Sequence, residues 1–408
     1  MKSERKYKGF VISPKAEAAL RKGHVWVYGE EIRQEPEGWE NGEIADVFSG
    51  KGAYLGTGLV SRQSKIRIRI LTTNANDMPD ETFFRRRVRY AYAYRKTVMG
   101  DDLAYCRLLF GEADGLPGVT VDRYGDLLVA QILSYGMESR KAWIYDELRL
   151  CLAEEGVTLR GIMERNDAAI RELEGLSQGK GWYTENGFPH PESAVTTMVE
   201  NGIQYHVDLE NGQKTGFFLD QKYNRRAVAS IARGKRVLDC FTHTGSFALN
   251  AALGGAAHVT AVDVSQAAVD MAHENAVLNH LEDRMDFLCA DVFDLLPSLL
   301  AQHSPYDLII LDPPAFTKSR KTVSDATRGY KEINYRAMRL LPRGGYLATC
   351  SCSHFMEKEK FREMLLSAAQ DAGVGLKLIE ERGQAPDHPI LMTVPETDYL
   401  KFYLFQIV

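Results

Sequence analysis

Strand-like and helical segments alternate throughout the C-terminal half of the chain, and this order limits the possible fold more than any other sequence feature. Such alternation is typical of a parallel sheet with helices on both faces. Seven strands are predicted, at residues 236–241, 258–264, 286–290, 306–311, 345–351, 376–381 and 400–408. The sequence therefore predicts a Rossmann-like α/β domain over residues 191–408, with a ligand crevice at the carboxyl ends of its strands.

Residues 1–72 have a different pattern, in which short apolar runs are separated by glycine-containing turns. The last run alternates isoleucines with Lys65, Arg67 and Arg69, which predicts a strand with a cationic face. We therefore expect a small β-barrel here, followed by a basic helix over residues 85–96. Residues 73–190 are predicted to form a small α+β domain, and no chemical motif stands out in it.

Charge is distributed unevenly between these segments. The whole chain has 50 Lys and Arg against 55 Asp and Glu, a formal net charge of −5. Residues 1–96 carry 19 basic and 12 acidic side chains, a balance of +7, which leaves −12 for the remainder. The asymmetry is compatible with a module that binds a polyanion such as RNA, and equally with a solvated basic surface.

The cysteine content and the N-terminal sequence indicate a cytoplasmic protein. Six cysteines without paired spacing do not suggest a disulfide framework. The charged start of the chain is unlike a signal peptide, and the uncharged stretch at residues 245–262 contains Asn250, Gly254, Gly255 and His258. We therefore predict no membrane segment and no disulfides.

Three acidic residues at the ends of successive predicted strands suggest a cofactor site. Asp239 lies in a strand that turns directly into a helix, Asp263 is placed to bind ribose hydroxyls, and Asp291 is placed to meet an adenine edge. Only Gly245 occurs in the first turn, so the glycine-rich dinucleotide motif is missing. Each acid alone could cap a helix. Together they fit an adenosine without phosphates, which points to S-adenosylmethionine. The other predicted contacts nearby are Phe241, Thr244 and Val292.

A second group of residues suggests catalysis. Asp312 follows the fourth strand, and Pro313 and Pro314 stiffen the chain where it leaves the sheet. Phe316 offers a ring on which a base could stack. Cys350 and Cys352 lie in or beside the fifth strand, and Cys352, nearer its carboxyl end, is the better candidate nucleophile. Two inert core thiols are the alternative. A Cys-x-Cys-x-His metal site is less favoured because no second ligand pair accompanies it, and we predict no metal.

Three segments of the chain resemble one known protein family. The segment Leu-Asp-Pro-Pro-Ala-Phe-Thr-Lys-Ser at residues 311–319, the Ser-Cys-Ser at residues 351–353 and residues 214–221 are similar to the RlmI-type family of ribosomal RNA large-subunit methyltransferases. The resemblance covers the whole chain. It implies an N-terminal PUA domain, a central α+β domain, a class I methyltransferase domain, and S-adenosylmethionine-dependent formation of 5-methylcytosine in 23S rRNA.

The resemblance also implies roles for individual residues. Cys352 would attack C6 of cytosine, Asp312 would bind the N3/N4 edge of the base, and Asp220 and Gln221 would contact the methionine part of the cofactor. Ala315 and Phe316 occupy the place where two-cysteine 5-methylcytosine enzymes have their second cysteine. The predicted RNA-backbone contacts are Arg62, Lys65, Arg67, Arg69, Arg85 and Arg86.

Two other functions agree with the same residues. The chain could methylate another base, such as a guanine or adenine amine, without a covalent adduct. It could also be an RNA-binding or ribosome-assembly protein with an inactive methyltransferase domain. The predicted partner in each case is ribosomal RNA or a ribosomal particle.

Overall fold

The computed structural model describes residues 6–317 and 319–408. Residues 1–5 of the predicted N-terminal domain and Lys318 of the 311–319 segment therefore lie outside the described residues. The chain divides into two compact units. The first comprises residues 1–196, 207–219 and 386–397, and the second comprises residues 197–206, 220–385 and 398–408.

The first unit contains a six-stranded sheet with the strand order β2-β6-β5-β4-β1-β3. Its strands are β1 (Lys8–Ile12), β2 (Trp26–Tyr28), β3 (Ile32–Gln34), β4 (Ile44–Phe48), β5 (Tyr54–Val60) and β6 (Ile66–Thr72), and helix α1 (Pro14–Arg21) follows β1. Strands β1 and β4 are parallel. The fully buried side chains of Phe10, Val27, Val47 and Ile68 form its core. The small β-domain expected near the N-terminus is therefore present.

A five-stranded sheet in the same unit has the order β11-β10-β9-β8-β7. Its elements in chain order are α2 (Glu81–Met99), β7 (Tyr105–Phe110), β8 (Val119–Tyr124), β9 (Leu127–Ile132), α3 (Tyr135–Glu138), α4 (Lys141–Glu154), β10 (Gly161–Asn166) and β11 (Gly179–Trp182). The predicted basic helix is α2. Its arginines form ion pairs with α4, as in Arg85–Glu147 at 3.0 Å and Arg89–Glu154 at 2.9 Å. These pairs hold α2 against α4 of its own domain.

A separate two-stranded sheet consists of β12 (Val195–Glu200) and β13 (Ile203–Asp208). The second unit contains a seven-stranded sheet with the order β16-β15-β14-β17-β18-β20-β19. Its strands are β14 (Arg236–Cys240), β15 (His258–Asp263), β16 (Met285–Cys289), β17 (Leu308–Leu311), β18 (Tyr346–Ser351), β19 (Leu376–Arg382) and β20 (Lys401–Ile407). Its helices are α5 (Lys222–Ile231), α6 (Ser246–Leu253), α7 (Gln266–Leu278), α8 (Val292–Ala301), α9 (Val323–Leu340) and α10 (Lys358–Ala372).

The strand order of this sheet determines where a ligand can bind. The first five strands pair in parallel, and β20 is antiparallel to both β18 and β19. After β16 the chain crosses back and adds β17 on the other side of β14, so the order reverses between β14 and β17. In open α/β sheets, ligands bind at the carboxyl ends of the strands at such a reversal. Asp239 and Asp312 stand at this position.

The two central strands are apolar because both faces of the sheet are covered. All four residues of β17 are buried, as are Val237, Leu238, Asp239 and Cys240 of β14.

Within the described residues, no helix is both long enough and apolar enough to cross a membrane.

Candidate active site

The turn that follows β14 has an unusual backbone. Phe241, His243 and Gly245 have positive φ values of 64°, 52° and 81°. Such values are rare for residues with a side chain and cluster at functional sites. At Gly245 the backbone lies close to α7, since an added Cβ would be 3.0 Å from the Cβ of Ala272. The turn is therefore held in a tight path that a larger residue at position 245 would disturb.

Asp239 is the buried acid beneath this turn. Its Oδ2 accepts hydrogen bonds from the Thr242 hydroxyl at 2.6 Å and the Ala248 amide at 2.9 Å. Burial raises the pKa of Asp239 to about 7, and the negative charges of Asp312 and Asp263 add to this effect. The carboxyl group thus supports the turn and remains partly protonated near neutral pH.

Polar atoms at this turn fit the predicted cofactor. Among the described residues, neither Oδ1 of Asp239 nor Oγ1 of Thr244 has a hydrogen-bond partner, although both atoms are buried. Buried polar atoms are costly to leave unpaired, so a ligand with hydrogen-bond donors would be favoured here. S-adenosylmethionine offers an α-amino group and ribose hydroxyls, which suit these acceptors.

We expect an Asp239→Asn variant to become more stable relative to the wild type as pH rises from 4 to 7. In this window the native carboxyl group stays protonated while the unfolded one, with an ordinary pKa of 3.8, is ionised. The native state then binds more protons, so this group lowers stability by up to about 1.4 kcal/mol per pH unit as pH rises. An asparagine does not titrate.

Thermal unfolding midpoints of Asp239→Asn and wild type, measured at half-unit steps from pH 4 to 7, test this expectation. Asp270→Asn is the matched control, because Asp270 is an exposed acid on α7. A difference between Asp239→Asn and wild type that does not change with pH would show that Asp239 is ionised in the native state.

Asp263 and Asp291 organise the neighbouring loops. Asp263 accepts hydrogen bonds from the amides of His243 and Ser265, both at 3.0 Å. Asp291 is exposed and caps α8 by accepting a hydrogen bond from the Phe293 amide at 2.8 Å. The cap that the sequence allows at Asp291 is therefore present. Contacts of these acids and of the buried Val292 with a ribose or an adenine stay predictions.

Asp312 lies in a second acidic cluster, beside the end of β17. Gln221 donates a hydrogen bond to Oδ1 of Asp312 at 3.0 Å, and Asn224 donates one to Gln221 at 2.6 Å, which fixes the amide of Gln221. Tyr399 donates a hydrogen bond to Asp220 at 2.6 Å. Burial, together with the negative charge of Asp220, raises the pKa of Asp312 to about 7. Asp312 can therefore exchange a proton near neutral pH.

The two cysteines near β18 differ in accessibility. Cys350 is fully buried, and burial raises its pKa well above the usual value of a thiol. Cys352 lies one residue beyond β18, is partly exposed, and has its Sγ 3.9 Å from the carbonyl oxygen of Pro313. The accessible thiol is therefore next to the segment that carries Asp312.

The predicted base-contact residues Pro313, Pro314 and Phe316 follow Asp312 in the chain. Pro313 is buried and Pro314 is exposed. The ring of Phe316 packs against Tyr330, with centroids 4.6 Å apart, and against Phe293 at 5.9 Å. Phe316 is thus part of an aromatic cluster, and its role in stacking a base stays a prediction.

Several structurally important residues of the site were not predicted from sequence. Arg225 and Glu200 form a buried ion pair with contacts of 2.6 and 3.0 Å, and the positive charge of Arg225 lowers the pKa of Asp312. Ser353 donates a hydrogen bond to the carbonyl of Thr317 at 2.9 Å and so joins the loops after β17 and β18. No local pattern in the sequence links these partners.

The predicted RNA contacts of the first unit differ in their surroundings. Arg62 and Lys65 are exposed, and the guanidinium of Arg62 lies 4.2 Å from the ring centre of Trp39. Arg67 donates hydrogen bonds to the carbonyls of Ser61 and Arg62, both at 2.7 Å. The other three form ion pairs, which are Arg69–Glu174 at 2.8 Å, Arg85–Glu147 at 3.0 Å and Arg86–Asp77 at 3.2 Å. Arg69 is buried, so the face of β6 that carries it is not a continuous cationic surface.

Comparison with known proteins agrees with this geometry. Residues 189–406 match the family of S-adenosylmethionine-dependent methyltransferases, and residues 10–73 match PUA-like domains. The ribosomal RNA large subunit methyltransferase I of Photobacterium profundum is 42% identical over 388 residues, which are 94% of this chain and 96% of the relative. The protein of the same name from Aliivibrio fischeri is 40% identical over 392 residues, which are 96% and 97% of the two chains.

A solved structure with the same fold is a candidate methyltransferase in complex with SAH. Its TM-score is 0.81 at 23% identity, and the match covers 98% of this chain and 100% of that chain. The comparisons confirm the predicted Rossmann-like domain, the predicted PUA-like domain and the predicted cofactor, S-adenosylmethionine.

Proposed function

The chain belongs to the ribosomal RNA large subunit methyltransferase I family, and from this membership we propose that it methylates C5 of a cytosine in 23S rRNA. The observation that carries the proposal is the accessible thiol of Cys352 beside Pro313, next to a carboxyl group, Asp312, whose pKa is raised to about 7. C5 of cytosine is a poor nucleophile until a thiolate adds at C6. The addition step requires two groups acting on the same cytosine, a nucleophile for C6 and a proton donor for N3.

In the proposed reaction, Cys352 attacks C6 while Asp312 donates a proton to N3, which receives the displaced electron pair. When bound, S-adenosylmethionine would supply a methyl group to C5 of the adduct and would leave as S-adenosylhomocysteine. Transfer of the C5 proton to water re-forms the C5–C6 double bond and expels the Cys352 thiolate, and N3 returns its proton to Asp312. A proton donor with a pKa near the working pH is the most effective in such a step.

The remaining predicted contacts are assigned on the same basis. We propose that the turn after β14, with Asp263, holds the ribose and methionine parts of the cofactor, and that Asp291 and Val292 border the adenine. Asp220 and Gln221 are proposed to approach the methionine part. The RNA is proposed to contact the first unit through Arg62 and Lys65, which are exposed, as phosphate contacts position a nucleic acid without reading its sequence.

The proposal is tested by incubating the protein with S-adenosylmethionine and either free 23S rRNA or large ribosomal particles. We expect nucleoside mass spectrometry of the digested RNA to show 5-methylcytidine with at least one of the two substrates. A reaction without protein is the control. Methylation of a guanine or adenine instead would contradict the cytosine assignment and favour chemistry without a covalent adduct.

A further inference from the structure

A buried lysine lies beside the proposed nucleophile. Lys401 begins β20, which is antiparallel to β18, and it pairs with Ser351, the residue before Cys352. Only 3% of Lys401 is exposed to solvent. Lysines are almost never so deeply buried without a specific partner, because removing an ammonium group from water is costly.

The polar partners of Lys401 are two backbone carbonyls, one of which belongs to the residue after Cys352. Its Nζ donates hydrogen bonds to the carbonyl of Ser353 at 2.5 Å and to the carbonyl of Tyr399 at 2.8 Å. Among the described residues, no carboxylate lies within ion-pair distance of Lys401, and the nearby Asp398 pairs with Lys358 at 3.2 Å. The ammonium group is therefore held by neutral carbonyls, one of which belongs to the residue after Cys352.

The charges around this lysine connect it to the thiol. The pKa of Lys401 is lowered to about 8 by burial and by the positive charge of Lys358, and the negative charges of Cys352 and Asp398 oppose these effects. Such coupling is reciprocal, so a charged Lys401 favours an ionised Cys352.

Three other ionisable groups near Cys352 do not provide a positive charge. Burial raises the pKa values of Tyr330 and Cys350 well above their usual range, so both are neutral at pH 7. Asp312, in the neighbouring loop, carries no positive charge in either protonation state. Among these groups the positive charge next to the nucleophile comes from Lys401.

We propose that Lys401 is a positioning residue that keeps Cys352 in the thiolate form and so prepares it for attack on the base. The role rests on the proposed function, in which Cys352 is the nucleophile. No comparable lysine was apparent from sequence, because Lys401 and Cys352 meet only through the pairing of two antiparallel strands.

The test measures how fast iodoacetamide alkylates Cys352 from pH 5 to 10, by peptide mass spectrometry of the cofactor-free protein. Lys401→Gln keeps an amide donor for the carbonyls and loses the charge, whereas Lys401→Arg keeps the charge. We expect wild type and Lys401→Arg to share a profile, and Lys401→Gln to shift it upward by about one pH unit, which is about tenfold slower alkylation at pH 7.

Two controls are built into the chain. Lys360→Met removes an exposed positive charge of α10 that does not act on Lys401 and should leave the profile unchanged, and the exposed Cys289 is an internal reference for reagent activity. An identical profile for Lys401→Gln and wild type would overturn the proposal while the methylation product still decides the proposed function.

A second measurement needs no change at Lys401. The thiolate absorbance near 240 nm is titrated in the wild type and in Cys352→Ala, and the difference reports Cys352 alone. We expect the difference to titrate clearly below about 8.5, the ordinary value of a free thiol. Titration at or above that value would show that Lys401 does not stabilise the thiolate.

Discussion

A Cys352→Ala variant is expected to bind S-adenosylmethionine as the wild type does and to lose methyl transfer by about 10⁴-fold or more. Removing a covalent nucleophile costs an enzyme several orders of magnitude in rate, since the remaining groups cannot form the intermediate. The cofactor should still bind, because the turn after β14 does not include Cys352. Transfer of a labelled methyl group and calorimetric titration of the cofactor measure the two effects separately.

Two cysteine variants make this result specific. Cys289→Ser is the control, because Cys289 is exposed at the end of β16 and has no part in the proposed chemistry. Cys350→Ala tests the alternative assignment. Loss of transfer in Cys350→Ala, with transfer retained in Cys352→Ala, would reverse the roles of the two thiols.

The adduct itself can be trapped. RNA that carries 5-fluorocytosine at the target position should remain attached to the wild type, because fluorine at C5 cannot leave as a proton does. We expect a band that survives denaturing electrophoresis for the wild type and none for Cys352→Ala. No band with the wild type, in a preparation that methylates unmodified RNA, would contradict covalent catalysis.

The central part of the site was predictable because strand ends are visible in sequence. Asp239, Asp263 and Asp312 lie in, at the end of, or just after parallel strands, and period and polarity locate those ends without any knowledge of contacts. The structure brings Asp239 and Asp312 to the same point of the sheet, where the Asp312 amide is 3.5 Å from the Cys240 carbonyl. Asp239 and Asp312 are close because β14 and β17 are neighbouring strands of the sheet.

Partners that meet only through tertiary structure were not predictable in this way. Glu200 and Arg225 are separated by 25 residues, and Arg69 and Glu174 by 105. The alternation in β6 correctly predicted a strand, but it could not show that an acid from another element would bury Arg69. Periodicity shows on which face of a strand a residue lies. It does not show which other element covers that face.

Helix α1 was missed although its signal is present. Helix α1 begins after Ser13, whose side chain accepts a hydrogen bond from the Ala16 amide at 3.3 Å, and Pro14 occupies the first helical position. A serine cap followed by proline is a recognised helix start. The helix spans only eight residues, so its apolar spacing is too short to stand out.

An Asp312→Asn variant is expected to lose about 10² to 10³ of the methylation rate and to change how the rate depends on pH. Asparagine keeps the oxygen that accepts the Gln221 hydrogen bond, so the geometry of the loop should persist. It cannot donate a proton to N3, and general acid catalysis contributes about 10²- to 10⁴-fold. Asp325→Asn is the control, because Asp325 is an exposed acid on α9.

The pH profile separates the acid from a purely structural role. In the wild type, the proposed donor is protonated below a pKa of about 7, so the contribution of Asp312 should fall as pH rises through 7. Ionisation of Cys352 has the opposite sign, and the two together give a profile with a maximum. In Asp312→Asn the falling limb should disappear and only the rising limb of the thiol should remain. A variant that is slower but still shows the falling limb near pH 7 would mean that another group donates the proton and that Asp312 acts only through its hydrogen bonds.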